Sequence, residues 1–186
     1  MWRSLFLLVT SLAGLAGLAG GCGDDSACGP GSAPAVGLAA SSADVTLTYG
    51  NMTSRAGNDC PAAGAPADVV SLSIEGTQTD GTGLITFCIP RPDLLGSGGR
   101  TLGLTQSMAD VRIIDVIGAA NNCTFALDTT RPPTGTASGD GVCDHGTNPA
   151  GFAFTVDGAL SLRRTCGTTV DTVSVTLGGV VAVAAE

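Results

Sequence analysis

Lysine is missing from this chain: all eight basic residues are arginines, at positions 3, 55, 91, 100, 112, 131, 163 and 164. Chemistry that depends on a lysine amine is therefore excluded. Histidine occurs once, as His145. A serine or cysteine hydrolase would have to use it as its base, and no G-x-S-x-G elbow supplies the nucleophile. A histidine-built zinc site normally needs two or three imidazoles. The single tryptophan is Trp2 in the leader, and the later aromatics are Tyr49, Phe87, Phe125, Phe152 and Phe154. That is a poor supply for surfaces that stack on sugars. No two of the seven cysteines stand in a C-x-x-C pair, which argues against zinc ribbons, c-type haem attachment and thioredoxin-like chemistry. Charged residues make up only 13% of the 186 positions, with a net charge of −8. Mean hydropathy is positive, so the chain is not a disordered acidic tail. Its acidic balance gives no footprint for nucleic acid, and none is expected as a partner.

What is present begins with the leader. Met1 to Ser4 holds one arginine, and the 14 residues from Leu5 to Leu18 are almost wholly apolar. A bilayer span needs roughly 20 apolar residues, so this run fits the core of a secretory signal peptide instead. It ends in Leu18-Ala19-Gly20-Gly21-Cys22. The segment resembles the lipobox of bacterial lipoproteins, with Ala19 where the family usually places leucine and Leu18 one residue further back. The resemblance covers residues 1–22 only and no cofactor accompanies it. It implies removal of residues 1–21, diacylglycerol on the Cys22 sulfur and usually an acyl chain on its amine. The protein would then be exported and held to the membrane of the cell envelope. Gly23 follows the lipidated position, where aspartate would imply inner-membrane retention, so the outer membrane is expected if the cell has one. The alternative is an ordinary signal peptide cut near Ala19, which leaves Cys22 as a disulfide partner.

Residues 22–43 are small, polar and broken by glycine and proline, as in Gly29-Pro30-Gly31-Ser32-Ala33-Pro34. Such a segment reads as a flexible tether. Residues 44–186 are enough for one domain with its own core.

With Cys22 lipidated, an even six remain: Cys28, Cys60, Cys88, Cys123, Cys143 and Cys166. In an exported chain these read as disulfides. Strands adjacent in space are often adjacent in sequence, so sequential pairing is expected: Cys28–Cys60, Cys88–Cys123 and Cys143–Cys166.

Beyond the tether the hydropathy period is two. Val45, Leu47 and Tyr49 alternate with polar neighbours, as do Val70, Leu72 and Ile74, then Phe152, Phe154 and Val156, and finally Val173, Val175 and Leu177. Residues 84–89 are apolar on both faces, as in a central strand. Residues 107–119 hold five valines and isoleucines, which favours strand over helix. Asp157-Gly158 reads as a hairpin turn, and Gly178-Gly179 as a break before a last strand. The expectation is an all-β, disulfide-stapled, sandwich-like domain of nine or ten short strands on an N-terminal tether. Its expected core is Val45, Leu47, Leu72, Ile74, Phe87, Ile114, Phe125, Phe152, Phe154, Val173 and Val175.

No catalytic, cofactor-binding or metal-binding set stands out, and no enzyme activity is expected. Asp140-Gly141-Val142-Cys143-Asp144 has two carboxylates beside glycine but lacks the calcium-loop pattern. Fourteen aspartates, with Glu75 and Glu186, single out no glycosidase pair. The function expected is that of a lipid-anchored envelope or surface β-domain with a structural or interaction role, whose partner is an envelope protein or surface ligand. The alternatives are a calcium- or small-ligand-binding lipoprotein and an exported hydrolase.

Overall fold

The structure, a computed structural model, describes residues 37–57, 71–92, 94, 101–104, 110–145 and 148–183, without the side chains of 56, 57, 140–145 and 148–152. The expectations for Cys22, Cys28 and Cys60 concern residues outside those described, as do those for the side chains of Cys143, His145 and Phe152.

Ten strands follow one another: β1 (Leu38–Ser41), β2 (Thr46–Gly57), β3 (Ser71–Gln78), β4 (Leu84–Ile89), β5 (Thr101–Gly103), β6 (Arg112–Ala120), β7 (Cys123–Leu127), β8 (Thr134–His145), β9 (Asn148–Cys166) and β10 (Thr169–Val183). All pairings are antiparallel. The all-β expectation holds, but the sandwich does not. Because β10 bonds to β1 as well as to β9, the sheet closes into an eight-stranded barrel of β1, β2, β3, β4, β6, β7, β9 and β10. Closure removes most free edges, which a sandwich would leave exposed.

The wall between β6 and β9 is built twice. Residues 162–165 of β9 pair with β7, and residues 148–159 of the same strand pair with β8. β5 flanks β8, and the Val111 amide donates to the Gly103 carbonyl at 3.1 Å, tying β5 to the start of β6.

Eight strands leave an interior just wide enough for side chains to fill it. Val45, Leu47, Ile74, Phe87, Phe125, Phe154 and Val175 are buried as expected, and Leu72 and Val173 pack partly buried against them. Phe87 of β4 and Phe154 of β9 meet across the interior edge to face, with centroids 5.7 Å apart. Thr46, Thr53, Arg55, Glu75, Thr77, Thr155, Asp157, Arg163 and Thr176 are exposed on the outside. A membrane-spanning barrel has an apolar belt facing lipid, so this apolar-inside, polar-outside pattern is the inverse of one.

Several expectations are corrected. β1 lies within the segment expected as tether, so strand pairing begins at Leu38. Ile114 is 51% exposed because the β4–β6 register shifts between Thr86 and Phe87, and the extra residue turns it outward. Asp157-Gly158 is no turn: β9 runs through it unbroken, and the hairpin turns at Gly167-Thr168. A Cβ on Gly158 would lie 2.5 Å from the Thr134 carbonyl oxygen, so glycine there permits close approach of β8. Gly178-Gly179 likewise continues β10. Gly179 has φ +135°, and a Cβ there would lie 2.0 Å from the Gly37 oxygen of the incoming chain.

The disulfide between Cys123 and Cys166 also overturns the sequential scheme, since neither Cys88–Cys123 nor Cys143–Cys166 can form beside it. Thr124 opposes Thr165 in the β7–β9 register, which places Cys123 directly opposite Cys166, with Cα atoms 4.3 Å apart. The contact joins strands that are not consecutive in sequence, and that broke the neighbour rule. Cys88 is disulfide-bonded as well.

Candidate functional site

Strand directions give the barrel two unlike ends. β1 enters at one end, where β10 leaves. The opposite end carries the connections Ser42–Val45, Thr79–Gly83, Asn121–Asn122 and Gly167–Thr168. Asn121 and Asn122 both take positive φ, 53° and 59°, which a two-residue hairpin turn requires and asparagine tolerates.

At this turn end the β9–β10 hairpin projects past its neighbour. β1 pairs with β10 only from Thr176 to Gly179, whereas β9 pairs with it from Thr169 to Val183. Among the described residues, no strand covers the other edge of Thr169–Val175. Arg164 and Asp171 oppose each other in this hairpin on the core-facing side, next to buried Phe125. Arg164 donates Nε to Asp171 Oδ1 at 2.9 Å and Nη2 to Oδ2 at 2.5 Å, a bidentate pair. Asp44, in the β1–β2 turn, lies 3.9 Å from Arg164 Nη1. The hydrogen bonds from Arg164 hold the Asp171 carboxyl below its ordinary value, and those bonds in turn raise Arg164. Two carboxylates around one guanidinium leave the mouth with a net charge of −1.

Behind the mouth, two inward polar groups fix the barrel's shape. Tyr49 on β2 donates its hydroxyl to the Ile117 carbonyl of β6 at 3.1 Å. Burial, with the charges of Asp115 and Asp80, drives that phenol well above its ordinary range. Gln78 accepts from the Ala119 amide at 2.9 Å and donates to the Ala119 carbonyl at 2.8 Å. These groups are internal bonds of the fold.

A shallow depression of about 240 Å³ lies on β2 and β3 nearer the entry end, lined by Thr53, Ser54, Arg55, Ser73 and Glu75. It holds no aromatic platform and no paired carboxylates. Among the described residues no three His, Cys, Asp or Glu side chains group closely enough to hold a metal ion.

Of the cysteines singled out in the sequence, Cys123 and Cys166 are brought together, and they clamp β7 to the projecting hairpin. Arg164, Asp171 and the open edge were not singled out. Their signal was the seven-residue spacing of Arg164 and Asp171 about Gly167-Thr168, hidden by placing the turn at Asp157-Gly158. Set against protein-family models, curated proteins and solved structures, the chain matches none, and its functional reading stands on its own residues.

Proposed function

We propose that this protein is a lipid-anchored β-barrel domain of the bacterial cell envelope or surface, acting as an interaction module rather than an enzyme. Its anchor is Cys22, with the outer membrane as the expected site if the cell has one. The observation that carries the reading is the polarity of the barrel. The chain arrives at β1 on one end, and the projecting hairpin with its open edge stands at the other. An anchor upstream of Leu38 therefore presents the turn end away from its attachment. The 15 residues from Gly23 to Gly37 reach at most about 50 Å, enough to lift such a domain clear of lipid headgroups. A filled interior supports binding on the surface rather than within the barrel.

The test is membrane fractionation of wild type and Cys22→Ser. Wild type is expected in the membrane fraction, because two or more acyl chains hold stably where one does not. Cys22→Ser is expected to be released or to stall as uncleaved precursor. A Cys22→Ser protein cut and anchored like wild type would overturn the reading.

A further inference from the structure

The open edge of β10 has a definite hydrogen-bonding phase. Gly167-Thr168 is a two-residue turn, which makes Cys166 and Thr169 a hydrogen-bonded pair. Alternation then directs the N–H and C=O groups of Asp171 and Val173 toward β9, and those of Val170, Thr172 and Ser174 toward the open side. The same phase places the groups of Thr176 and Gly178 toward β1, where β1 does pair. Three residues thus offer three donors and three acceptors in the spacing of a strand.

Natural proteins blunt such edges with lysine, proline, bulges or covering loops. Among the described residues, Thr169–Val175 has no lysine, proline, bulge or covering loop, and the one further device, an inward-pointing charge, is Asp171, bonded to Arg164. The β9–β10 register is unbroken from Thr169 to Val183. The stretch Thr169-Val-Asp-Thr-Val-Ser-Val175 is rich in β-branched residues, which suit an extended backbone. Its one charge, Asp171, faces inward and is bonded to Arg164. On the outward face Val170 is 59% exposed.

We propose that this edge takes up, by strand addition, an extended segment of a second protein that carries cationic side chains at alternate positions. The added strand runs antiparallel to β10, along the line of β1. Main-chain bonds to Val170, Thr172 and Ser174 supply affinity, and alternate side chains supply specificity. Side chains on its inner face meet the Asp44–Arg164–Asp171 mouth, whose net charge is −1. Asp44 is 71% exposed at its side chain, which leaves it available to a cation. Side chains on its outer face lie opposite Val170 and Ser174, where β-branched apolar groups pair well. A second copy of this chain is the poorer occupant: it brings a net charge of −8 to a negative mouth. The proposal rests on reading the domain as an interaction module.

The probe is acetyl-Val-Arg-Val-Arg-Val-Arg-Val-amide, fluorescently labelled, titrated into full-length protein in detergent micelles and, in parallel, into the Cys22→Ser protein. Saturable one-to-one binding is expected in both, so a failure of anchoring and a failure of strand addition read out separately. Thr172→Pro removes only an edge-facing N–H, a change that edge strands tolerate, and is expected to weaken binding at least tenfold. Asp44→Asn is expected to weaken it severalfold. In the antiparallel pairing, the valines of the probe stand opposite Val170, Thr172 and Ser174 and share their hydrogen-bonded pairs. N-methylation of the probe at its valines should therefore abolish binding, whereas N-methylation at its arginines should leave it intact. This pair of probes decides the matter even if Thr172→Pro fails to fold. Absence of binding overturns the proposal. So does equal binding of both methylated probes, or of folded Thr172→Pro, which would mark charge attraction alone. Self-association that Thr172→Pro abolishes, without uptake of the probe, assigns the edge to a second copy and equally overturns it.

Discussion

The side-chain amide of Gln78 stands where a backbone peptide would, bonded to both the N–H and the C=O of Ala119 at 2.9 and 2.8 Å. The β4–β6 ladder stops at Leu84 opposite Ile117, and without Gln78 the next peptide of β6 would be left open beside the core. Gln78 is itself nearly inaccessible to water. Replacing it with leucine keeps the volume but removes both partners of Ala119. Each buried group left unsatisfied costs about 1–3 kcal/mol. Gln78→Leu is therefore expected to lose about 2–4 kcal/mol in chemical denaturation with little change in the circular dichroism spectrum.

Tyr49 makes the barrel sensitive to alkali. Its folded-state phenol is held protonated above its ordinary value of 10.0, chiefly by burial. The folded state therefore retains a proton that the unfolded chain gives up. Tyr49 contributes its full stability below pH 10, and stability falls as pH rises beyond that, by up to about 1.4 kcal/mol per pH unit for one proton. Tyr49→Phe should cost about 0.5–1.5 kcal/mol at neutral pH by removing its hydrogen bond to Ile117, and should flatten the decline above pH 10. Urea titrations at pH 8 to 11 test both.

The acid side belongs to Asp171. Its carboxyl is held low by its hydrogen bonds to Arg164, so its contribution is present above the ordinary carboxylate range and is lost as pH falls through its lowered folded-state value. Asp171→Asn should weaken the dependence of melting temperature on pH below about 4 while leaving neutral-pH structure intact. Equal acid sensitivity in the variant would place that dependence elsewhere, for example at Asp128, whose carboxyl is lowered by Thr130.

Cys123 and Cys166 close a loop across a sequence separation of 43. A bridge of that span restricts the unfolded chain by about 4 kcal/mol in the chain-entropy description. Changing both cysteines to alanine should lower stability by about 2–4 kcal/mol. Non-reducing peptide mapping should recover one peptide joining them.

Where a strand has one buried and one wet face, its sequence was enough to place it. Val45, Leu47 and Tyr49, or Val173, Val175 and Leu177, alternate because β2 and β10 each have one side in the core. Glycines misled, because Gly158 and Gly179 answer to close approach of β8 and of the chain at Gly37 rather than to local turning. Leu38-Ala39-Ala40-Ser41 carries too little side chain to announce a strand, yet it closes the barrel by pairing on both sides. Ile114 looked like core because a bulge cannot be read from hydropathy. The open edge of β10 is a property of topology: the residues were visible, but which side of them stays unpaired depends on where β1 ends. Closure itself rests on the β10–β1 pairing of segments more than 130 positions apart, which periodicity cannot convey.

The proposed function depends most on lipidation of Cys22. Intact mass and N-terminal fragment spectra of the protein extracted from cell envelopes test it most directly. The expected result is a chain that begins at Cys22, with residues 1–21 removed, diacylglycerol on the sulfur and an acyl group on the amine. A mature chain beginning elsewhere, or an unmodified Cys22, would contradict it.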